Sequence, residues 1–415
     1  MKERILQKID SYHEYAVDLQ RGLTAIPAIA PASGGEGEEA KASWLEQRLR
    51  ELRFDEIRRY DAPDPKAKNG IRPNIVARWR GQDPGRTFWI MSHLDVVPPG
   101  ERSLWHSDPY ELRVEDGKLY GRDVEDNQQA LVASLLVARA MMELEYRPPI
   151  DLALLFAADE ETGSEYGAVF LARQHPEIFG PRDVFLVPDG GEPDGSMVEI
   201  AEKSLWWVKF TTRGGQCHAS TPEQGRNAFR AASELVVRLN GLHRKFPRKD
   251  RLYAPPTSTF EPTKKEPNVP NINTIPGEDV FYLDCRVLPQ YRLEDVEAEI
   301  RRIASTVETK HGVEVAIETV QRSAAAAPTP RDCELVRLVS EAIEEIHGVK
   351  ARPMGIGGGT VAAVFRHLGL PAVVSAKLDD TAHQPNESCV IDNLIGDAKV
   401  CALAALKFGT PRGPA

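Results

Sequence analysis

The chain has 415 residues, 27% of them charged, and 52 Lys+Arg against 62 Asp+Glu leave a net charge of -10 at pH 7. That balance argues against nucleic acid or an anionic membrane surface as a partner, since both need a basic field. No apolar run approaches the roughly 18 residues of a membrane span. The length predicts two or three domains, with a core that needs no disulfide or metal staple to fold. The five cysteines form no CxxC pair and are odd in number, which argues against a disulfide framework. The opening MKERILQKID has spread charges and no apolar stretch, so no secretory signal is expected and the reading is cytoplasmic.

In chain order, 2–28 and 37–53 read as amphipathic helices around a small-residue loop at 30–37. Apolar strands follow at 75–79, 88–97, 152–158 and 184–187, with a strong helix at 126–144 between the second and third. Continuous apolar strands alternating with helices predict an α/β fold with a mostly parallel sheet. Near residue 204 the character changes. Strands at 204–212, 258–261, 279–287 and 313–320, with helices at 225–244 and 293–311, give the order β-α-β-β-α-β. That is the ferredoxin-like pattern. After AAAAPTP at 324–330 the α/β character returns, with helices at 333–347, 359–368 and 393–408 and a strand at 372–376. The predicted organisation is one α/β domain, 1–203 and 321–415, interrupted by an inserted α+β domain, 204–320.

Each apolar strand ends in acid or imidazole. The second ends in Ser92-His93-Leu94-Asp95, the third runs into Asp159-Glu160-Glu161, and the fourth into Pro188-Asp189. Ligand sites of open α/β sheets lie at the carboxyl ends of strands, and carboxylates are almost never buried unpaired. Taken singly, each residue has a plainer reading. His93 could be an exposed turn histidine beside a capping Asp95, and Asp126 a first-turn helix acid. Glu160 and Glu161 could form a solvated acidic turn, and His383 could sit in a surface loop. Taken together, His93, Asp126, Glu161, Asp189 and His383 supply three carboxylates and two imidazoles. That set suffices for two divalent cations sharing one carboxylate. Alternation puts His93 and Asp95 on one side if the strand continues that far, where Asp95 would orient the ring. Adjacent Glu160 and Glu161 point in different directions, so one can ligate while the other acts as general base.

In this light the chain resembles the di-zinc amidohydrolases and exopeptidases that include acetylornithine deacetylase, succinyl-diaminopimelate desuccinylase, aminoacylase, carboxypeptidase G and several dipeptidases. The resemblance runs in register through SHLDVVPPG at 92–100, GRDVEDNQQ at 121–129, DEETG at 159–163 and VPDGG at 187–191. It continues through GGQCHASTPEQGRNA at 214–228, NTIPG at 273–277, GIGGGT at 355–360 and HQPNE at 383–387. It implies that Asp126 bridges two divalent cations, zinc foremost, with cobalt or manganese as alternatives. His93 and Asp189 would complete one site, Glu161 and His383 the other. Glu160 would be the general acid/base and Asp95 the orienter of His93. The insertion would be a lid or dimerisation domain, making a homodimer. His218 would polarise the scissile carbonyl and Arg286 would anchor a substrate carboxylate. Asn273 and the loop Gly357-Gly358-Gly359 would add substrate contacts. A cis peptide would follow Asp126.

The implied activity is hydrolysis of an amide bond in a small N-acyl amino acid by a hydroxide bridging the metals. A dipeptidase or carboxypeptidase acting on a short peptide would share the same core. A non-catalytic metal-binding dimer would need a lost base or ligand, and all are present. Asp123 and Gln128 stand where the family usually has Gly and Lys, and Val361 where it usually has Asp. Asp123 is expected to add negative charge near the site and to bear on side-chain specificity. Gly355, Gly357 and Gly359 do not complete G-x-G-x-x-G, because position 360 is Thr. There is no Walker A, HExxH or GxSxG signature. The basic run HRKFPRKDR at 243–251 reads as a solvated loop rather than a nucleic-acid surface.

Overall fold

The run Ile150–Ala157 is buried along its whole length, which demands cover on both faces and neighbours on both edges. The computed structural model, which describes residues 1–409, supplies both. Its large sheet has eight strands, in the order Glu56–Pro63, Ile71–Trp79, Ile150–Ala157, Asp83–His93, Val184–Gly191, Ala372–Ala376, Met197–Glu202 and Arg352–Ile356. The central four, from Ile150–Ala157 to Ala372–Ala376, are parallel. Ile71–Trp79 and Met197–Glu202, on either side of them, pair with them antiparallel, and Glu56–Pro63 pairs antiparallel with Ile71–Trp79.

The sheet is therefore mixed, which corrects the expectation of a mostly parallel one. The cause is local. Asp64 N donates to Gly70 O at 2.9 Å, closing the short 64–70 connection as a hairpin. A connection that short joins only antiparallel strands. Three strands of this sheet escaped the sequence reading, the edge strand Arg352–Ile356 among them. Glu56–Pro63 is half-exposed, with a mixed pattern. Met197–Glu202 is wholly buried, but its glutamates break up the apolar run. One of them, Glu199, meets the Arg366 guanidinium at 2.7 and 2.8 Å.

The chain separates into two units: residues 1–200, 328–354 and 360 onward, and residues 201–327 with 355–359. In unit 1 the helix Gln128–Glu143 is buried on nearly every side, as a helix apolar all round must be. Below the opposite face of the sheet lies an aromatic cluster. Phe185 stacks on Phe365 at 3.7 Å between ring centroids and on Trp89 at 5.6 Å. Among the described residues no helix is long and apolar enough to cross a membrane.

Unit 2 follows the chain order Ser204–Arg213, helix Ala228–Leu239, Thr259–Lys265, Glu278–Val287, helix Leu293–His311, Glu314–Ser323. Its sheet order is Thr259–Lys265, Glu278–Val287, Ser204–Arg213, Glu314–Ser323, antiparallel throughout. Phe210 and Phe281 stack at 4.7 Å within a core that the helices complete through Leu235 and Ile300.

Phe185 is fully buried between two aromatic rings, so its truncation removes contacts that the neighbours cannot recover. Phe185→Ala should lower the unfolding free energy of unit 1 by about 3–5 kcal/mol in chemical denaturation. A loss below about 1 kcal/mol would show that this layer repacks.

Candidate metal centre

Parallel alignment delivers polar residues to one edge of the sheet. His93 ends the strand Asp83–His93, and Asp189 lies near the end of Val184–Gly191. Ile150–Ala157 runs into the turn holding Glu160 and Glu161, and Ala372–Ala376 into the loop holding His383. Asp126 stands just before the helix Gln128–Glu143.

Asp126 sits between two imidazoles. Its Oδ1 lies 3.0 Å from His93 Nε2 and its Oδ2 3.2 Å from His383 Nε2. His93 Nε2 is also 3.5 Å from Asp189 Oδ1, and His383 Nε2 is 3.0 Å from Glu161 Oε1. Two donor triads result, His93–Asp126–Asp189 and Asp126–Glu161–His383, each with its donor atoms within 4.8 Å of one another. Glu160 belongs to neither triad.

The electrostatics show what this cluster is short of. Burial pushes Glu160 well above the ordinary carboxyl range, and Asp189, Glu161 and Asp126 add to the push. Burial likewise raises Glu161 and Asp189. Burial favours the neutral form of His93, but Asp189, Asp126 and Asp95 outweigh it and hold the ring's proton tightly. Hydrogen bonds to Asp126 and Glu161 raise His383 to about 10. Asp126 alone moves down, against its burial, because both imidazoles hydrogen-bond to it. The cluster therefore gathers protons for want of other positive charge. Divalent cations would supply that charge instead. Imidazole nitrogen and carboxylate oxygen without thiolate suit zinc, cobalt or manganese.

Backbone contacts prepare the ligands. His93 Nδ1 lies 3.0 Å from the carbonyl oxygen of Asp95, which only accepts. The neutral ring then carries its proton on Nδ1 and turns the Nε2 lone pair toward Asp126 and Asp189. The Asp95 side chain has a second task besides the expected one. The strand ends at His93, so alternation no longer governs position 95. Its carboxylate accepts from Glu160 N at 2.9 Å and Glu161 N at 3.0 Å, and comes no closer than 3.5 Å to His93 Nδ1. Behind the same turn, Arg72 pairs with Glu38 and lies 3.2 Å from Asp159.

The Asp126–Asn127 peptide is cis. Asn127, unmarked in the sequence reading, donates to Asp189 Oδ1 and accepts from His93 N at 3.3 Å. Asp123 is buried with φ of 76°. Its carboxylate takes hydrogen bonds from Lys41 Nζ at 2.9 Å, Gln128 Nε2 at 2.8 Å and Asn127 N at 3.2 Å. The charge expected to bear on specificity is thus engaged internally. Only the fold could reveal Lys41 as its partner.

Unit 2 holds the remaining predicted residues in two groups. The strand Cys217–His218 pairs with Thr274–Ile275, and Ala219 N donates to Asn273 O at 2.9 Å. His218 and Asn273 are thereby neighbours. Ser220 N donates to His218 Nδ1 at 3.2 Å, which leaves the proton of the neutral ring on Nε2. Arg286 donates to Asp284 through Nε at 2.7 Å and Nη2 at 3.1 Å, and through Nη1 to Gly357 O at 3.1 Å, beside Gly358. Asp284, two residues before Arg286, was not singled out from sequence.

Comparison with known proteins agrees with this geometry. An uncharacterised metallohydrolase of Methanocaldococcus jannaschii is 39% identical, over 93% of this chain and 98% of its own length. A succinyl-diaminopimelate desuccinylase of Cereibacter sphaeroides is 30% identical, over 89% of this chain and 93% of its own. Human carnosine dipeptidase 1 has the same fold, with a TM-score of 0.74 at 20% identity over 98% of both chains. Residues 89–407 match Peptidase family M20/M25/M40, and the chain belongs to that family of amide-hydrolysing metalloenzymes.

Proposed function

We propose that this chain removes the acyl group from a small N-acyl amino acid at a centre of two divalent cations, zinc foremost. One observation carries the reading: Asp126 is common to both donor triads, and Glu160 adjoins them without belonging to either. The 30% identical desuccinylase supports the substrate class. A dipeptidase would use the same residues, and the test below separates the two.

Cations held there would acidify a water molecule and polarise the scissile carbonyl. The protein's own groups do the rest. Glu160 adjoins both donor triads and belongs to neither, which leaves its carboxylate to take a proton. It accepts the proton of the attacking water as oxygen bonds to the carbonyl carbon. It returns that proton to nitrogen as the C–N bond breaks. Asp95 holds the Glu160 N–H and so fixes where the carboxylate starts. In our reading His218 donates Nε2–H to the carbonyl oxygen as charge develops there. Arg286 binds the substrate's carboxylate with one N–H left on each terminal nitrogen after Asp284 and Gly357 are served. Asn273 and Gly358 would complete the contacts.

We read unit 2 as a ferredoxin-like lid and dimerisation domain. Its β-α-β-β-α-β order supports this, as do the sheet edges Thr259–Lys265 and Glu314–Ser323, each paired on one side only among the described residues. Five free cysteines support a reducing, cytoplasmic setting.

Amine release should be measured from N-acetylornithine, N-succinyl-diaminopimelate, other N-acyl amino acids and dipeptides, with zinc, cobalt or manganese and a chelator control. Chelator-sensitive release from acyl amino acids is expected. Release from dipeptides alone would move the assignment to a dipeptidase. No release from a protein loaded with two metals would overturn it. Glu160→Gln should lose roughly 10²–10⁴ in kcat with metal content intact, and normal turnover would remove Glu160 from its role. Asp126→Asn should instead lose metal.

The proton balance gives a further expectation. His383 rises from 6.5 to about 10, so at pH 7 its ring is charged in the metal-free protein, and His93 shifts in the same direction. Cation binding must expel that proton, and affinity should increase with pH. The stabilising contribution of charged His383 is complete below pH 6.5 and is lost by about pH 10 in the chelated protein. Calorimetry in buffers of different ionisation enthalpy reads the released protons. Binding heats independent of the buffer would mean that the rings were already neutral.

A further inference from the structure

Two buried glutamates outside both donor triads join the loops that carry the ligands. Glu125 directly precedes Asp126, yet its side chain leaves the donor cluster. Its Oε1 accepts from Asp379 N, and its Oε2 from Thr381 N at 2.6 Å, with Thr381 Oγ1 at 2.9 Å. These groups lie on the loop that presents His383, two residues beyond Thr381. Other contacts also hold that loop: Thr381 Oγ1 donates to Ser388 O at 2.9 Å, Lys118 Nζ lies 2.7 Å from Asp379, and Asn386 Nδ2 donates to Leu104 O at 2.9 Å. His383 has φ of 63° and Asp380 φ of 61°, values that residues other than glycine seldom hold unaided. The His383 ring is 52% exposed, so packing alone does not fix it.

Glu387 reaches the opposite way. It belongs to the His383 loop, and its Oε1 accepts from Glu125 N at 3.0 Å and Asp126 N at 3.1 Å. Its Oε2 accepts from Asp123 N at 3.0 Å and Arg122 Nη1 at 2.6 Å. Each loop thus satisfies the other's backbone donors with a buried carboxylate. Both glutamates are at most 2% exposed, so water is no substitute for either.

We propose that Glu125 is a positioning residue for the cation held by Asp126, Glu161 and His383, and that Glu387 positions Asp126 and so serves both cations. This rests on the two-cation reading above. The two loops are clasped reciprocally, but the consequences are unequal. Glu125 acts through a loop with one ligand, at one site. Glu387 acts on the shared ligand.

The test titrates metal-free, full-length protein with Co²⁺, following heat and visible absorption. Wild type should take up two ions per chain. Glu125→Gln should weaken one of the two affinities by roughly 10–100-fold and leave the other unchanged. Thr381→Ala, a milder change, should weaken the same site less. Glu387→Gln should weaken both. In a His383→Ala background Glu125→Gln should add nothing, because the loop no longer carries a ligand. A Glu125→Gln protein with both affinities unchanged, or with both reduced alike, overturns the proposal. So does an additional loss in the His383→Ala background. Should Glu125→Gln fail to fold, Thr381→Ala decides by the same criterion. Wild type that binds fewer than two ions overturns the metal-centre reading and this proposal with it. Two ions in wild type with no site-selective effect overturns this proposal alone.

Discussion

Crowded negative charge governs the architecture of unit 1. Asp126, Glu160, Glu161 and Asp189 converge on two imidazoles, and the fold has to hold them there in spite of their repulsion. The parallel strands do this at the level of topology. At the level of side chains, three of the ligand-bearing segments are backed by a buried cation paired with a buried carboxylate. Lys41 meets Asp123 behind the Asp126 turn, Arg122 meets Glu387, and Arg72 meets Glu38 behind the glutamate turn. Such pairs contribute little net stability after desolvation, but breaking one by removing a single partner is costly. They hold the turns by directed hydrogen bonds from outside the donor triads. The negative charge that cations would answer is thus left on the residues that face them.

The ligands themselves were legible in the sequence because they interrupt apolar strands at their carboxyl ends. His93, Glu161 and Asp189 each close or follow a run that is otherwise buried. Their supporting residues were not legible, and the reason is distance along the chain. Nothing near Lys41 distinguishes it from a solvated lysine on an amphipathic helix; its partner is 82 positions away. Glu199 disguised a buried strand for the same reason, since Arg366 lies 167 residues further on. Asp95 shows a finer limit. Its place beside His93 was readable but its hold on the backbone of Glu160 and Glu161 was not, because that depended on where one strand stops.

In unit 2 the sequence singled out Arg286 but not the carboxylate that aims it. Trp207 Nε1 donates to Asp284 Oδ2 at 2.8 Å, and Asp284 in turn grips the guanidinium side-on. An arginine held this way presents its end rather than its edge, and it has lost much of its rotamer freedom in advance. The alternation of the strand Glu278–Val287 places both residues on one face, so this pairing follows from period-2 geometry.

The return of residues 355–359 to unit 2 has a consequence for modularity. Gly355 N donates to Leu252 O at 2.6 Å, Ala254 N to Gly355 O at 3.2 Å, and Lys203 N to Ile356 O at 3.3 Å. Together with the Gly357 carbonyl on Arg286, these bonds make a five-residue segment from far along the chain a structural part of unit 2. Residues 201–327 are therefore not a self-contained cassette. A genetic excision or domain transplant that follows the continuous stretch would leave behind the piece that closes it. Recombination in this lineage has to move both segments together or rebuild the second in its new host.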